Sequence, residues 1–127
     1  MGKDLKILIL EDSISDADSI EHELIKGGLE FTSRRVDTRE GFIREFDEFK
    51  PDLFLSDFNF SDFDGIFALE MRNDNSPETP FIFVSSTAGE DLAVETLRKG
   101  ATDFVKVDKN KLRYYELECK LLEGFYE

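Results

Sequence analysis

Cysteine is nearly absent from this chain: Cys119 is the only one in 127 residues. A lone thiol forms no internal disulfide. With no CxxC pair, and with His22 as the single histidine, there is no ligand set for zinc. Long hydrophobic runs are missing as well. The first apolar stretch, Leu5–Leu10, leads straight into acids, too short for the core of a signal peptide, and nothing approaches the ~20 apolar residues of a membrane helix. Positive charge is scarce: Lys and Arg number 16 against 29 Asp and Glu, a formal net charge of −13. Such a surface repels phosphate backbones and anionic lipid, which argues against direct contact with nucleic acid or membrane. No Ser/Gly-rich linker and no repeat divides the sequence, so residues 1–127 are expected to form one domain of a cytoplasmic protein, with no effector domain.

What is present is enough apolar material for a core, 40% of residues, with 13 phenylalanines among them. Short runs rich in Ile, Leu, Val and Phe occur at Leu5–Leu10, Leu53–Leu55, Phe81–Val84 and Phe104–Val107, with a more polar one at Phe31–Val36. Nearly continuous apolar runs of strand length fit a parallel sheet covered on both faces. Helical spacing fills the intervals. Ala17, Ile20 and Leu24 form one stripe, with Ser15 as the expected N-cap and Gly27-Gly28 as the stop. Phe42, Ile43, Phe46 and Phe49 form another, ended by Pro51; a weakly patterned helix is expected around Ile66 to Met71. Ala93, Val94 and Leu97 are closed by Gly100, and Leu112, Tyr115, Cys119, Leu122 and Tyr126 run towards the C-terminus. The phenylalanines at 42, 46, 49, 54, 81 and 83 are expected to fill both core layers, and His22, set among charges, to be solvated.

This alternation predicts an α/β fold of (βα)5 type: a doubly wound, five-stranded parallel sheet in the flavodoxin-like order 2-1-3-4-5. Ligands bind such sheets at the carboxyl ends of the strands. Glu11 and Asp12 follow the first strand, Asp57 ends the third, and Ser85 and Ser86 end the fourth. The first and third strands are neighbours in this order, so three carboxylates meet in one crevice. Like charges that close need a positive counterpart, and carboxylates with a carbonyl and waters make the oxygen shell that Mg²⁺ prefers. Taken singly, each residue has a plainer reading. Acids and serines after a strand also cap helices or close turns.

The segments ILILEDS (7–13), PDLFLSDFN (51–59), FDG (63–65), PFIFVSS (80–86) and GATDFV (100–105) together resemble the receiver domain of bacterial two-component response regulators, over nearly the whole chain and in the family's order. The resemblance implies that Asp57 accepts a phosphoryl group from a sensor histidine kinase or a histidine phosphotransfer protein. It implies that Glu11, Asp12 and Asp57, with the backbone carbonyl of Asn59, hold Mg²⁺ (or Mn²⁺). Ser85, and Ser86 through its backbone, would contact the phosphoryl group. Ser85 and Phe104 would form the switch, read by a downstream protein on the face of the fourth helix, fifth strand and fifth helix.

The sequence departs from the family in three places. Phe60-Ser61 replaces Met-Pro after the aspartate loop, and Ser86 replaces a smaller residue. Val107 stands where the family has a lysine, with Asp108 in place of the proline after it. Lys106 is expected to face solvent unless a bulge re-aims it. Phe58, Phe60 and Phe63 cluster beside the site as a lid or docking patch. The alternative reading is a degenerate pseudo-receiver that binds partners without being phosphorylated. A haloacid-dehalogenase-like phosphatase is disfavoured, because Asn59 occupies the position of its second aspartate and no cap domain fits. A flavodoxin is disfavoured by the lack of a hydroxyl- and Gly-rich loop after the first strand.

Overall fold

The computed structural model describes residues 5–26, 28–57, 65–85 and 90–106, the side chains of Glu23, Ser85, Glu90–Ala93 and Lys106 excepted. Their order is β1 (Leu5–Leu10), α1 (Ile14–Lys26), β2 (Phe31–Val36), α2 (Arg39–Glu48), β3 (Leu53–Asp57), α3 (Gly65–Asn75), β4 (Phe81–Ser85), α4 (Glu90–Arg98) and β5 (Asp103–Lys106). The five strands form one sheet in the order β2-β1-β3-β4-β5, as the alternating periods predict. Every pairing is parallel, from Leu5↔Phe31 at one edge to Ser85↔Lys106 at the other. The expected final helix, including Cys119, lies outside the described residues.

Local chemistry sets the helix limits. The N-cap of α1 is Ser13, not Ser15: its hydroxyl accepts from the Asp16 N–H at 3.2 Å and its carbonyl from Ala17 at 3.0 Å. Ser15 already lies inside the first turn, where its carbonyl accepts from Ser19 Oγ at 3.0 Å. The helix closes in a Schellman motif. Gly28 N–H donates to the Ile25 carbonyl and Leu29 N–H to that of Leu24, and both leucines join the core. Thr38 caps α2 by accepting from Gly41 N–H at 3.0 Å. That helix ends at Glu48 with Phe49 as its C-cap, and Lys50 then takes a left-handed φ of 52° just before Pro51. The Ile66–Met71 helix is longer than its pattern suggested, running from Gly65 to Asn75. β5 begins one residue early, because Asp103 pairs with Ile82.

The sheet sorts its side chains by parity, since successive residues of a strand face opposite sides. On one side Leu5, Ile7, Ile9, Leu53, Leu55, Ile82, Val84 and Val105 meet Ala17, Ile20 and Leu24 of α1. On the other, Leu8, Leu10, Phe54, Phe81 and Phe83 meet Phe42 of α2, its C-cap Phe49, and Ala68 and Leu69 from α3. The phenylalanines therefore do not fill both layers. Phe54, Phe81 and Phe83 share one parity and build a single aromatic layer, with Phe46 stacked on Phe54 at 5.5 Å and Phe54 on Phe81 at 5.4 Å. Three stripe residues face water instead of the core: Ile43, Val94 and Leu97 are 46%, 48% and 44% exposed, while Thr96 of α4 is buried.

At the amino ends of β4 and β5 a buried arginine ties the layers together. Arg72 of α3 donates to the carbonyls of Thr79 (2.7 Å) and Gly100 (2.8 Å) and to Thr102 Oγ1 (3.1 Å). Thr102 Oγ1 in turn accepts from Phe81 N–H, and Asn73 donates to the Lys99 carbonyl at 2.9 Å. Burial pushes the Arg72 pKa below its ordinary value, and the nearby Glu78 carboxylate opposes that shift. Gly100 has φ 109°, and a Cβ there would sit 3.0 Å from Asn73 Nδ2, so this turn requires glycine.

Candidate metal and phosphoryl-acceptor site

The site lies at the carboxyl ends of β1 and β3. Ladder pairing between these strands runs to Leu10↔Ser56, and the next residue on each is an acid, Glu11 and Asp57. Pairing to the edge strand persists as far as the Glu11 N–H, which donates to the Val36 carbonyl at 3.2 Å. Both carboxylates are drawn into the protein, with Glu11 1% and Asp57 6% exposed, whereas Asp12 is exposed. Glu11 turns back towards the start of α1 and accepts from the Ser13 N–H at 3.1 Å, which orients its carboxylate.

One carboxylate oxygen from each of Glu11, Asp12 and Asp57 lies within 4.8 Å of the others. The sheet thus assembles three acids that are 46 residues apart at the extremes of the set. At that separation two buried carboxylates repel by about 3 kcal/mol at an effective dielectric near 20. The donor set is all oxygen, with no thiolate or imidazole in it, and suits a hard divalent cation such as Mg²⁺ or Mn²⁺.

The surroundings are set by the same parity rule. Asp57 pairs with Val84, so Ser85 ends β4 one residue beyond the level of the acid. The Ser85 side chain lies outside the description, as do Asn59, Ser86 and the loop phenylalanines 58, 60 and 63. Phe104 of β5 is half-buried at the margin of the aromatic layer, its ring 6.4 Å from that of Phe83. Gly65 presses against the same layer: a Cβ on it would sit 2.9 Å from Phe83 Cε1 and 3.3 Å from Ser56 Oγ. The FDG glycine is therefore where α3 approaches the sheet. The β4–β5 ladder is regular through Ser85↔Lys106, so no bulge interrupts β5 up to that residue. The Lys106 side chain and Val107 lie outside the description. His22 is exposed on α1, as its charged neighbours suggested.

One residue beside the site escaped the sequence reading. Arg35 of β2 donates through Nη1 to the Glu11 carbonyl at 2.9 Å and contacts Asp37 Oδ2 at 3.3 Å. Its partner is 24 residues away in the chain, and an arginine in a polar edge strand gives no local sign of such a contact.

Residues 7–114 match the sequence profile of the response regulator receiver domain. The chemotaxis protein CheY of Listeria monocytogenes is 27% identical over 101 residues, covering 80% of this chain and 84% of that protein. A protein-glutamate methylesterase/protein-glutamine glutaminase of Archaeoglobus fulgidus is 30% identical over 103 residues, or 80% of this chain but only 29% of that longer protein. Among solved structures, the signal receiver domain of a LuxO repressor protein from Vibrio parahaemolyticus superposes with a TM-score of 0.73 at 26% identity, covering 96% of this chain and 95% of that one. A receiver domain from Colwellia psychrerythraea reaches 0.81 at 18% identity over 95% and 98% of the two chains, a likeness of fold.

Proposed function

Because the chain belongs to the response regulator receiver family, we propose that it takes a phosphoryl group from a histidine kinase or histidine phosphotransfer protein onto Asp57, in a reaction that requires a divalent cation. The observation that carries this reading is the convergence of Glu11, Asp12 and Asp57 within 4.8 Å at the carboxyl ends of β1 and β3. An Asp57 oxygen attacks the phosphorus of a phosphohistidine, a P–O bond forms as the P–N bond breaks, and the imidazole nitrogen leaves with the bonding pair. The product is an acyl phosphate. A bound Mg²⁺ would neutralise the carboxylate and the incoming phosphoryl oxygens and hold them in line.

The chain's own groups supply the rest. Glu11 and Asp12 hold the cation, with the backbone carbonyl of Asn59 as a further oxygen. The Ser85 hydroxyl and Ser86 N–H receive the phosphoryl oxygens, and Phe104 changes position behind Ser85. A local change of charge then biases a two-state element, and the surface around α4 and β5 passes the signal to a partner protein. On this reading residues 1–127 act as one cytoplasmic receiver domain that accepts and loses a phosphoryl group without being a turnover enzyme. Its net charge of −13 disfavours nucleic acid and membrane as direct partners. No helix among the described residues is long and apolar enough to cross a membrane.

Incubation with acetyl phosphate and Mg²⁺, followed by intact-mass measurement, tests the proposal. Wild type should gain one phosphoryl group, and Asp57→Asn or cation removal by EDTA should abolish the gain. A wild-type chain that binds Mg²⁺ yet gains no mass from either acetyl phosphate or a phosphorylated histidine phosphotransfer protein would overturn it in favour of a pseudo-receiver.

A further inference from the structure

Arg35 and its neighbour Arg34 point to opposite faces of the edge strand β2. Arg34 lies over the Phe49 ring at 4.6 Å and pairs with Glu45 at 2.6 Å, on the side of α2. Arg35, level with Ile9 of the α1 side, extends past the end of β1 instead and donates to the Glu11 carbonyl at 2.9 Å. That carbonyl belongs to the peptide unit joining Glu11 to Asp12, so the guanidinium holds the backbone link between the two acids. The Glu11 N–H on the other side of the residue is already fixed by Val36, and the carboxylate by Ser13 N–H. Between them these contacts hold Glu11 from three directions.

The charge of Arg35 is a separate matter from its reach. Asp37 Oδ2 lies 3.3 Å from Arg35 Nη1, so the guanidinium and this carboxylate offset each other. A paired ion of this kind projects little net field onto the neighbouring acids. What remains is a charge-assisted hydrogen bond to a backbone carbonyl, stronger and more directional than a neutral one.

We propose that Arg35 is a positioning residue for cation binding: by holding the Glu11–Asp12 peptide it keeps the three carboxylates convergent in the cation-free protein, so the ion meets a formed site. The inference rests on the reading of Glu11, Asp12 and Asp57 as a divalent-cation site. Without Arg35 the cation would have to order the peptide itself, and affinity falls by that ordering cost.

The test is Mg²⁺ titration by calorimetry, with thermal melting of each cation-free variant. The variant R35Q/D37N removes both charges together, so the local net charge is unchanged while the guanidinium's bond to the Glu11 carbonyl is lost. The inference expects its Kd for Mg²⁺ to rise about tenfold, with a cation-free melting temperature within a few degrees of wild type. R35K retains a charged donor for the carbonyl and should stay within about threefold of wild type. Three results would overturn the assignment: R35Q/D37N binding as tightly as wild type, R35K as weak as R35Q/D37N, or weakening that tracks a general loss of melting temperature. Absence of Mg²⁺ affinity in wild type itself would instead remove the cation site on which the inference stands, which separates the two failures.

Discussion

Asp57→Asn should make the cation-free protein more stable, and the size of the gain follows from the site. Glu11 and Asp57 are both almost wholly buried, and their nearest ligand oxygens lie within 4.8 Å. At an effective dielectric near 20 the repulsion is about 3 kcal/mol. Asparagine removes the charge and keeps a carbonyl acceptor, but accepts hydrogen bonds less strongly than a carboxylate. Roughly half of the repulsion, ~1.5 kcal/mol, should therefore appear as added stability. For a chain of this size that corresponds to a melting temperature about 6 °C higher. The assay is thermal unfolding followed by circular dichroism in EDTA and then in Mg²⁺. At ten times its Kd the cation should stabilise wild type by ~1.4 kcal/mol. Asp57→Asn, with one charged ligand fewer, should gain much less, so the difference between the two proteins narrows as Mg²⁺ is added. A variant that melts at or below wild type in EDTA, or a difference indifferent to Mg²⁺, would refute the electrostatic account.

Two further outcomes concern the frame that holds the site. Arg72→Met would leave the Thr79 and Gly100 carbonyls and Thr102 Oγ1 without their guanidinium donor; urea unfolding should show a loss of about 3 kcal/mol, and a loss below ~1 kcal/mol would mean that the network contributes little. Lys50→Gly relieves the left-handed φ of 52° at the end of α2; the urea midpoint should rise, for a gain of ~0.5–1 kcal/mol, and a fall would show that Lys50 makes contacts worth more than its backbone strain.

Much of the architecture was legible because local rules and the global fold agree. Apolar runs of strand length alternate with stripes of helical spacing, and that alternation admits few parallel topologies. The convergence of the acids after β1 and at the end of β3 was visible because a strand's carboxyl end is a fixed place in such a sheet. The layer occupied by each phenylalanine was not read correctly. Parity within β3 and β4 puts Phe54 opposite in sense to Leu55, and Phe81 and Phe83 opposite to Ile82. Only the inter-strand register shows that Phe54, Phe81 and Phe83 lie on the same side. The exposure of Val94 and Leu97 was misjudged for a related reason: a stripe of helical spacing marks one face of α4, but packing chose the face carrying Thr96.

Composition and periodicity by themselves determined the class of fold, the strand order and the identity of the three acids, since charge, hydropathy and chain-local geometry are properties of neighbouring residues. The tertiary structure decided which distant groups met. It brought Arg35 to the Glu11 carbonyl across 24 residues, Arg72 to Gly100 across 28, and all the strand phenylalanines of β3 and β4 to one layer. Such contacts depend on inter-strand register and on side-chain reach through space, and neither quantity is written in any local stretch of the chain.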